Sequence, residues 1–446
     1  MKGDLVKSLM KITKKYGPIY TIYFGSRPIV VVTGYQALKE VFLDYGDAFL
    51  NRGSIPVFDR LFNSEVGLPL SNGESWKQLR QFSLITLKDF GMGRKTLEEP
   101  MQEEAHHLVE YFRNTKGLPF NPILCFSQVS ANVMCSVLFG KRYSYKDPDF
   151  QRLLHIVNNT FISMSSFWGQ LFDIYDVIMR NVPGPHHKTC NCLLELEEFV
   201  REKTEICKAT LNASNPRHVI DCFLIQMEKE KHIPSTYFNL KNLYATILSL
   251  FIAGTETVAT TIRHGFLLLL KYPNAKRKVQ EEIDQVIGKL RVPAQQDREY
   301  MPYTDAVVHE IHRFADVFPM NLPHKASRST QFRGYTIPKD TTVYPVLSSV
   351  LRDPKQFKYP NQFNPGHFLD ENGKFCRNDG YMPFSSGKRI CLGEGLAKME
   401  LFLFFTTILQ NFTLKSPKDP ADLDLRPMMS GFGNVPGPYE LCFIPR

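Results

Sequence analysis

The sequence lacks several features that mark common classes of protein. It has no C-x-x-C pair, and its nine cysteines are odd in number and scattered between residues 125 and 442, so neither a disulfide scaffold nor a zinc ribbon is expected. The opening residues, Met1-Lys2-Gly3-Asp4, are too charged for a signal peptide or a membrane anchor. Basic residues are spread rather than arranged in a stripe, and we expect no nucleic-acid partner.

The composition is that of a soluble globular protein. Of 446 residues, 43% are apolar and 22% are charged, and the formal net charge is +9, which excludes disordered, collagenous and coiled-coil chains. Thirty-four phenylalanines against two tryptophans predict an interior rich in aromatic surface. Such surface serves core packing or an apolar ligand pocket equally well, and composition does not choose between them.

Patterns along the chain predict a mainly α fold with small β-sheets. Residues 20–32 read as a β-hairpin, whereas residues 35–290 are mostly amphipathic helical segments separated by Gly-Pro breaks. A proline-free apolar pattern over 239–271 predicts one helix of about 50 Å, and 394–411 is again helical. Because no repeat and no linker occur, we expect one large domain over residues 1–446.

One cysteine has an unusual local context. Cys391 follows a turn that contains Gly387 and directly precedes a predicted helix, so backbone N–H groups and the nearby Arg389 favour a thiolate that can bind a metal. A buried structural role is commoner for an arbitrary cysteine. The pattern F-x-x-G-x-R-x-C-x-G, which starts at Phe384, fixes five positions, and a chance match in this chain is on the order of 1 in 10,000.

This loop resembles that of the cytochrome P-450 family, the haem-thiolate monooxygenases. The resemblance implies a bound haem b (iron protoporphyrin IX) with Cys391 as the axial iron ligand, and a thiolate that favours O–O cleavage. It also implies that Phe384, Gly387 and Arg389 contact the cofactor. It covers essentially the whole chain and is closest to the vertebrate microsomal family 2 enzymes.

A second motif, Glu310-Ile311-His312-Arg313, places a carboxylate and a guanidinium on one helix face. Alone it is weak, because such pairs are commonly solvated. The resemblance implies a buried structural pair of Glu310 and Arg313 that is completed by His367, where many relatives have arginine.

A third motif, Trp76 and Arg80, directs an indole N–H and a guanidinium the same way from one helix. An isolated match would usually be an aromatic ring that covers a surface charge. The resemblance implies that both bind the haem propionates together with Arg52, His324 and Arg389. Arginine suits a carboxylate, whereas His324 fits an ordinary turn histidine equally well.

A fourth motif lies in the middle of the long predicted helix. Ala253, Gly254 and Thr257 occupy neighbouring positions of one face, where small residues admit either a diatomic ligand or a packed helix. The resemblance favours the oxygen groove and implies that Thr257 and Glu256 help to deliver the protons for O–O cleavage.

The resemblance also implies an apolar substrate pocket facing the haem, although several of its positions could equally be core. Besides Ala253, the corresponding residues are Phe58, Ile252, Val317, Phe318, Leu322 and Phe432. The implied activity is insertion of one oxygen atom from O₂ into apolar substrates such as xenobiotics and fatty acids, with steroids as a further class.

The implied electron donor is NADPH-cytochrome P-450 reductase, with cytochrome b5 as a second candidate, because Lys77, Lys88, Arg94, Lys95 and Lys388 would form a basic face. Relatives begin with an apolar anchor and a proline-rich hinge that this chain lacks, so we expect a truncated sequence or a purely peripheral hold on the membrane. The implied location is the cytoplasmic face of the endoplasmic reticulum membrane.

Two other functions use the same fold. One is a haem-thiolate isomerase or dehydratase that rearranges hydroperoxides without O₂, against which Thr257 and Glu256 argue. The other is a haem-binding sensor or carrier without catalysis. Turnover supported by a reductase distinguishes the three.

Overall fold

The computed structural model describes residues 5–62, 67–90 and 95–446, without the side chains of residues 60–62, 95 and 96. It is mainly helical, which confirms the predicted class. The helices are α1 (Leu5–Tyr16), α2 (Tyr35–Lys39), α3 (Pro56–Phe62), α4 (Gly73–Asp89), α5 (Lys95–Asn114), α6 (Ile123–Phe139), α7 (Pro148–Ser165), α8 (Phe167–Ile174), α9 (Asp176–Met179), α10 (His186–Ala209), α11 (Val219–Lys229), α12 (Leu240–Lys271), α13 (Pro273–Val286), α14 (Pro302–Ala315), α15 (Ser348–Leu351) and α16 (Glu394–Asn411).

The strands are short and form small separate sheets. They are β1 (Ile19–Phe24), β2 (Arg27–Val32), β3 (Asn51–Arg52), β4 (His324–Lys325), β5 (Thr330–Phe332), β6 (Tyr335–Ile337), β7 (Thr342–Pro345), β8 (Phe412–Lys415), β9 (Pro427–Ser430), β10 (Asn434–Pro436) and β11 (Cys442–Pro445). The largest sheet has the order β1-β2-β7-β4-β3, and the pairs β9–β10, β8–β11 and β5–β6 stand apart from it.

The predicted hairpin and the predicted long helix are both present. β1 and β2 pair antiparallel with Ile19 opposite Val32. α12 has 32 residues, or about 48 Å at 1.5 Å per residue. It begins where the Asn239 side chain accepts a hydrogen bond from the N–H of Asn242, and it ends at Lys271, two residues before Pro273, because a helix rarely continues into a proline.

α12 forms the centre of the fold and packs most extensively against α6. By length and composition α12 could cross a membrane, but most of its apolar window is buried against the rest of the protein. Its close contact with α6 depends on Gly254, because a Cβ there would collide with the Met134 side chain. Gly254 was predicted to open an oxygen groove, with close helix packing as the alternative; the structure shows the packing contact, with Met134 beside Gly254.

Candidate functional site

The Cys391 loop is held in shape by backbone geometry. The Cys391 N–H donates to the Phe384 carbonyl oxygen at 2.9 Å, which closes the loop just before α16. Gly387 has φ of +71°, and a Cβ at this position would collide with the carbonyl oxygen of Phe42. Only glycine suits both conditions. The loop therefore presents Cys391 at a fixed place next to the start of a helix.

The Cys391 thiol lies in a recess. It is accessible to solvent, yet desolvation by the surrounding protein raises its pKa, with Glu394 adding to the rise and the Gly393 N–H and the Arg80 charge opposing it. An accessible but desolvated atom lines an inward-facing surface. The sequence predicted that the helix end favours the thiolate, but burial has the larger effect on the pKa of the thiol. It also predicted Arg389 as the neighbouring cation, but the cation that acts on Cys391 is Arg80. A bound metal cation would reverse the balance, because it deprotonates a coordinating thiol.

Three arginines and an indole converge beside this loop. Arg389 lies 3.9 Å from the ring centroid of Trp76, and Arg80 lies 5.9 Å from it while donating to the Ile390 carbonyl oxygen at 2.6 Å. Burial and the neighbouring charges lower the pKa of Arg389 to about 8, and burial and Arg80 lower that of Arg52 to about 9. Guanidinium groups keep their charge in proteins, so these shifts indicate a positive cluster that lacks compensating anions.

The sheet brings His324 to the same cluster, since His324 lies directly opposite Arg52 in the β3–β4 pair. Burial and the charges of Arg52 and Arg389 hold the pKa of His324 well below its usual value, although a bond to Phe49 opposes the shift. Its Nδ1 lies 2.7 Å from the Phe49 carbonyl oxygen, which can only accept, so Nδ1 carries the proton. The Nε2 atom is buried without a hydrogen-bond partner in the described chain, and it needs a proton of its own before it can donate to a carboxylate.

These residues fit haem b. Within the described chain, Arg52 Nε, Arg389 Nη1 and His324 Nε2 are buried without a hydrogen-bond partner, and buried polar atoms usually have one. Two propionate carboxylates would supply both the missing acceptors and the missing negative charge. Cys391 offers a sulfur of the kind that holds the iron in haem-thiolate proteins. The thiol and the cluster are thus complementary to the iron and to the propionate edge of one cofactor.

The middle of α12 carries a second accessible surface. Ala253 is exposed although its neighbours Phe251 and Thr255 are buried, so one face of this turn of the helix is accessible. Thr257 lies one turn later, and its hydroxyl donates to the Ala253 carbonyl oxygen at 2.6 Å. The structure therefore places Ala253 and Thr257 on one face of the helix, in contact through a hydrogen bond.

Glu256 lies on a different face of α12 from that pair. Its Oε1 accepts hydrogen bonds from Asn158 of α7 at 2.9 Å and from Thr260 at 3.0 Å, and it lies 3.5 Å from Arg263. Desolvation raises the Glu256 pKa, and these three partners oppose the rise. Glu256 and Thr257 were predicted to help deliver protons together. In the described contacts, the Glu256 carboxyl binds Asn158 of α7 and does not contact Thr257. Asn158 and Arg263 were not anticipated; only Arg263, seven residues on along the same helix, has a spacing that sequence could have revealed.

The predicted pocket residues other than Ala253, Ile252 and Val317 fall into one aromatic and aliphatic cluster. Phe58, Leu322 and Phe432 are partly buried and pack together around Ile55, Leu70 and Met164. Phe318 joins through Phe432, because the two rings meet edge to face at 5.2 Å. Ile252 packs against the main core instead, and Val317 is tied by its carbonyl oxygen to the N–H of Asn434.

A third ring, which the sequence analysis missed, completes the cluster. Phe161 of α7 meets Phe318 at 5.9 Å and Phe432 at 6.1 Å, both edge to face. Its ring lies against Gly433, where a Cβ would collide with it. Edge-to-face contacts are among the arrangements that aromatic rings prefer over a face-to-face sandwich. Phe161, Phe318 and Phe432, here called the phenylalanine cage, therefore hold one another in fixed orientations.

The predicted structural residues meet in the core. Glu310 and Arg313 are both fully buried and form two hydrogen bonds, at 2.6 and 2.7 Å. His367 Nδ1 lies 3.1 Å from Glu310 Oε2, and the N–H of Asn364 donates to Oε1 at 2.8 Å. These contacts connect α14 to the segment that leads to the Cys391 loop.

Comparison with known proteins shows which family and which relatives this chain resembles. The family model described as Cytochrome P450 matches residues 1–443. The chain is 51% identical over 440 residues to Cytochrome P450 2G1 of Rattus norvegicus, which is 99% of this chain and 89% of the relative. It is 52% identical over 445 residues to Cytochrome P450 2B4 of Oryctolagus cuniculus, covering 100% and 90% respectively. It is 49% identical over 442 residues to Cytochrome P450 2C8 of Homo sapiens, covering 99% and 90%.

Proposed function

Because the chain belongs to the cytochrome P450 family, and is thus a haem-thiolate monooxygenase that binds haem b, we propose that Cys391 is the axial ligand of its iron. One observation carries this assignment: the accessible, desolvated thiol adjoins a buried positive cluster without compensating anions. We further propose one haem domain over residues 1–446. When bound, haem b activates O₂ with two electrons for insertion of one oxygen atom into the substrate.

The chain's own residues position the reactants and handle protons. Arg52, Arg80, Arg389 and the indole N–H of Trp76 would orient the propionates, and His324 would add a donor once protonated. Phe384 and Gly387 hold the Cys391 loop. The accessible turn of α12 would receive O₂ at Ala253, with the Thr257 hydroxyl nearby, while the buried Glu256 carboxyl would hold the proton to be delivered. Gly254 contributes through helix packing.

The substrate would be a small apolar molecule. Phe58, Leu322, Phe432 and Phe318 offer contiguous apolar surface, and the phenylalanine cage limits its shape. Ile252 and Val317 would border the same space. Xenobiotics, fatty acids and steroids share the required chemistry, because burial of apolar area is the main source of their affinity.

Electrons would come from NADPH-cytochrome P450 reductase, with cytochrome b5 as a second donor. Lys88 is exposed, whereas Lys77 pairs with Glu74 at 3.4 Å and Lys388 with Asp47 at 2.5 Å. Both pairs are on the surface and exchange readily with the acidic groups of a partner. Arg94 and the Lys95 side chain, also predicted for this face, lie outside the described residues.

We place the enzyme on the cytoplasmic face of the endoplasmic reticulum membrane. Large apolar side chains of α8 and α9 are exposed, including Phe167 at 47%, Val177 at 71% and Ile178 at 63%. An apolar surface of this kind suits the boundary between lipid headgroups and acyl chains.

The decisive experiment compares two cysteine variants of the haem-loaded protein. After reduction with dithionite and addition of carbon monoxide, wild type should give the strongly red-shifted Soret band of thiolate ligation. Cys391→Ala should abolish the shift, and Cys376→Ala, which removes another exposed cysteine, should keep it. Haem binding without the shift in wild type would contradict the ligand assignment. Turnover that needs neither O₂ nor reductase would favour the isomerase alternative.

A further inference from the structure

The Glu256 carboxyl has one satisfied and one unsatisfied oxygen. Oε1 receives the bonds from Asn158 and Thr260, whereas Oε2 is buried and has no hydrogen-bond partner within the described chain. The residue as a whole is 1% exposed. A buried oxygen without a hydrogen-bond partner costs free energy, and a buried water molecule usually supplies the missing partner.

Of the three side chains that contact the Glu256 carboxyl in the described part of the chain, Asn158 alone reaches accessible space. Thr260 is 0% exposed and Arg263 is 2% exposed, so both are enclosed with the carboxyl. Asn158 is half-buried and lines a surface cavity of about 270 Å³ together with Asn121, Ile123, Leu124, Ser127, Leu154 and His155. The cavity lies between the start of α6 and the middle of α7, and Asn158 is the side chain that both lines it and donates to Glu256.

We propose that this cavity supplies water and protons to Glu256, and that Asn158 is the positioning residue at their boundary. The inference rests on the proposed monooxygenase function and extends it to the route by which protons enter. The cavity can hold several waters, and its wall contains the polar groups of Asn121, Ser127, His155 and Asn158 that such waters require.

The reaction needs such a route. For a substrate RH the balance is RH + O₂ + two electrons + two protons giving ROH + H₂O, with the electrons supplied by the redox partner. Each proton that leaves the Glu256 carboxyl must be replaced from solvent. An amide neither gains nor loses a proton at neutral pH, so Asn158 holds Oε1 through its Nδ2–H while waters reach the free Oε2.

The test compares three single variants of the haem-loaded enzyme. Asn158→Leu removes the amide and closes the boundary between cavity and carboxyl with apolar atoms. Asn158→Ser keeps a polar group there and widens the boundary. Asn159→Leu changes the exposed neighbouring asparagine and is the control. The first readout is the share of consumed NADPH electrons recovered in product rather than in hydrogen peroxide. The second is the ordered water within about 3 Å of Glu256 Oε2 in crystals.

We expect Asn158→Leu to lower the share of electrons recovered in product about tenfold and to lose the ordered water. The loss is smaller than the roughly hundredfold loss of rate expected when a proton-transfer group itself is removed. Asn158→Ser and Asn159→Leu should keep both. Unchanged coupling and unchanged water in Asn158→Leu would overturn the proposal. The carbon monoxide spectrum distinguishes failure of the proposed iron ligand from failure of the proposed proton route. If wild type lacks the shifted band, the ligand assignment is wrong. A normal band with unaffected coupling in Asn158→Leu rejects only the proton route.

Discussion

Glu310 and Arg313 form a fully enclosed ion pair in which Arg313 Nη2 lies 2.6 Å from Oε1 and Nε lies 2.7 Å from Oε2. The remaining guanidinium hydrogens donate to backbone oxygens, among them those of Leu351 at 2.7 Å and Pro360 at 2.8 Å. The guanidinium thus bonds to Glu310 of its own helix and to the backbone of the segment from Leu351 to Gln362. The pair therefore fixes the position of α14 relative to the segment that carries the Cys391 loop.

Removing one partner of this pair should destabilise the protein strongly. Glu310→Ala leaves a buried guanidinium without its counterion, and breaking such a pair costs about 3–5 kcal/mol. The matched surface pair is Arg277 and Glu281, which are 59% and 51% exposed at 2.5 Å, so Glu281→Ala should cost less than about 1 kcal/mol. The free energy of unfolding in urea measures both. Equal losses would show that the buried pair adds nothing beyond a surface contact.

Gly387 should be the glycine of the Cys391 loop that tolerates no side chain. Gly387→Ala combines a positive φ, which costs roughly 1–2 kcal/mol for an L-residue, with a collision against Phe42. We expect weaker haem retention and a lower melting temperature. Gly395→Ala, with open space around its Cβ and no positive φ, is the control. Haem titration followed at the Soret band tests the pair, and equal affinities would argue against a shape requirement at Gly387.

Trp76 should report haem binding directly. The chain has two tryptophans, so Trp168→Phe leaves Trp76 as the sole emitter, 3.9 Å from Arg389. Added haem should quench its fluorescence. Arg389→Met should weaken the affinity about ten- to a hundredfold, because a hydrogen bond to a charged group contributes about 1.5–3 kcal/mol, whereas the exposed Arg377→Met should not. Quenching without any dependence on Arg389 would place the propionates elsewhere.

The elements that sequence predicted well are those with local causes. α12 was expected over 239–271 and is found at Leu240–Lys271, since Asn239 caps one end and Pro273 limits the other. The Cys391 loop was located by spacing, because its turn requires glycine at a fixed distance from the cysteine. In each case the deciding residues are close in the chain.

The features that sequence did not predict depend on residues far apart in the chain. Asn158 and Glu256 are separated by 98 positions, and neither residue type indicates the other. The contact of Gly254 with Met134 of α6 could not be placed without tertiary structure. Phe161 is one of thirty-four phenylalanines, and only its contacts distinguish it from the core.

Phe161 should set the size of accepted substrates. Its ring is 4% exposed and held by Phe318, Phe432 and Gly433, so Phe161→Leu opens space behind the cage without exposing it to solvent. Small aromatic ligands should bind several-fold more weakly, in line with about 1 kcal/mol per aromatic contact, and bulkier ones more tightly. Phe167→Leu, on the surface of α8, should change neither. Ligand titrations followed by the Soret shift decide the matter, and a uniform change across ligand sizes would contradict a sizing role.

His264 should make the protein less stable in acid. It is buried in α12, with Nε2 3.4 Å from the Asn434 carbonyl oxygen, and desolvation lowers its pKa to about 4. The unfolded chain takes up a proton as pH falls through the usual value near 6.5, whereas the folded protein does so only near 4, so stability present above 6.5 is lost progressively down to about pH 4. The full loss is about 3 kcal/mol.

The pH dependence must be measured as a difference between variants, because Asp173 acts in the opposite sense. Burial raises the Asp173 pKa to about 7, so the folded protein binds that proton first and gains stability as pH falls. Urea unfolding of wild type and His264→Gln at pH 7 and pH 4 isolates the histidine, and the wild type should lose about 3 kcal/mol more than the variant. His155→Gln, which changes an exposed histidine, should follow wild type. Parallel curves for wild type and His264→Gln would mean that His264 takes up its proton as readily in the folded chain as in the unfolded one.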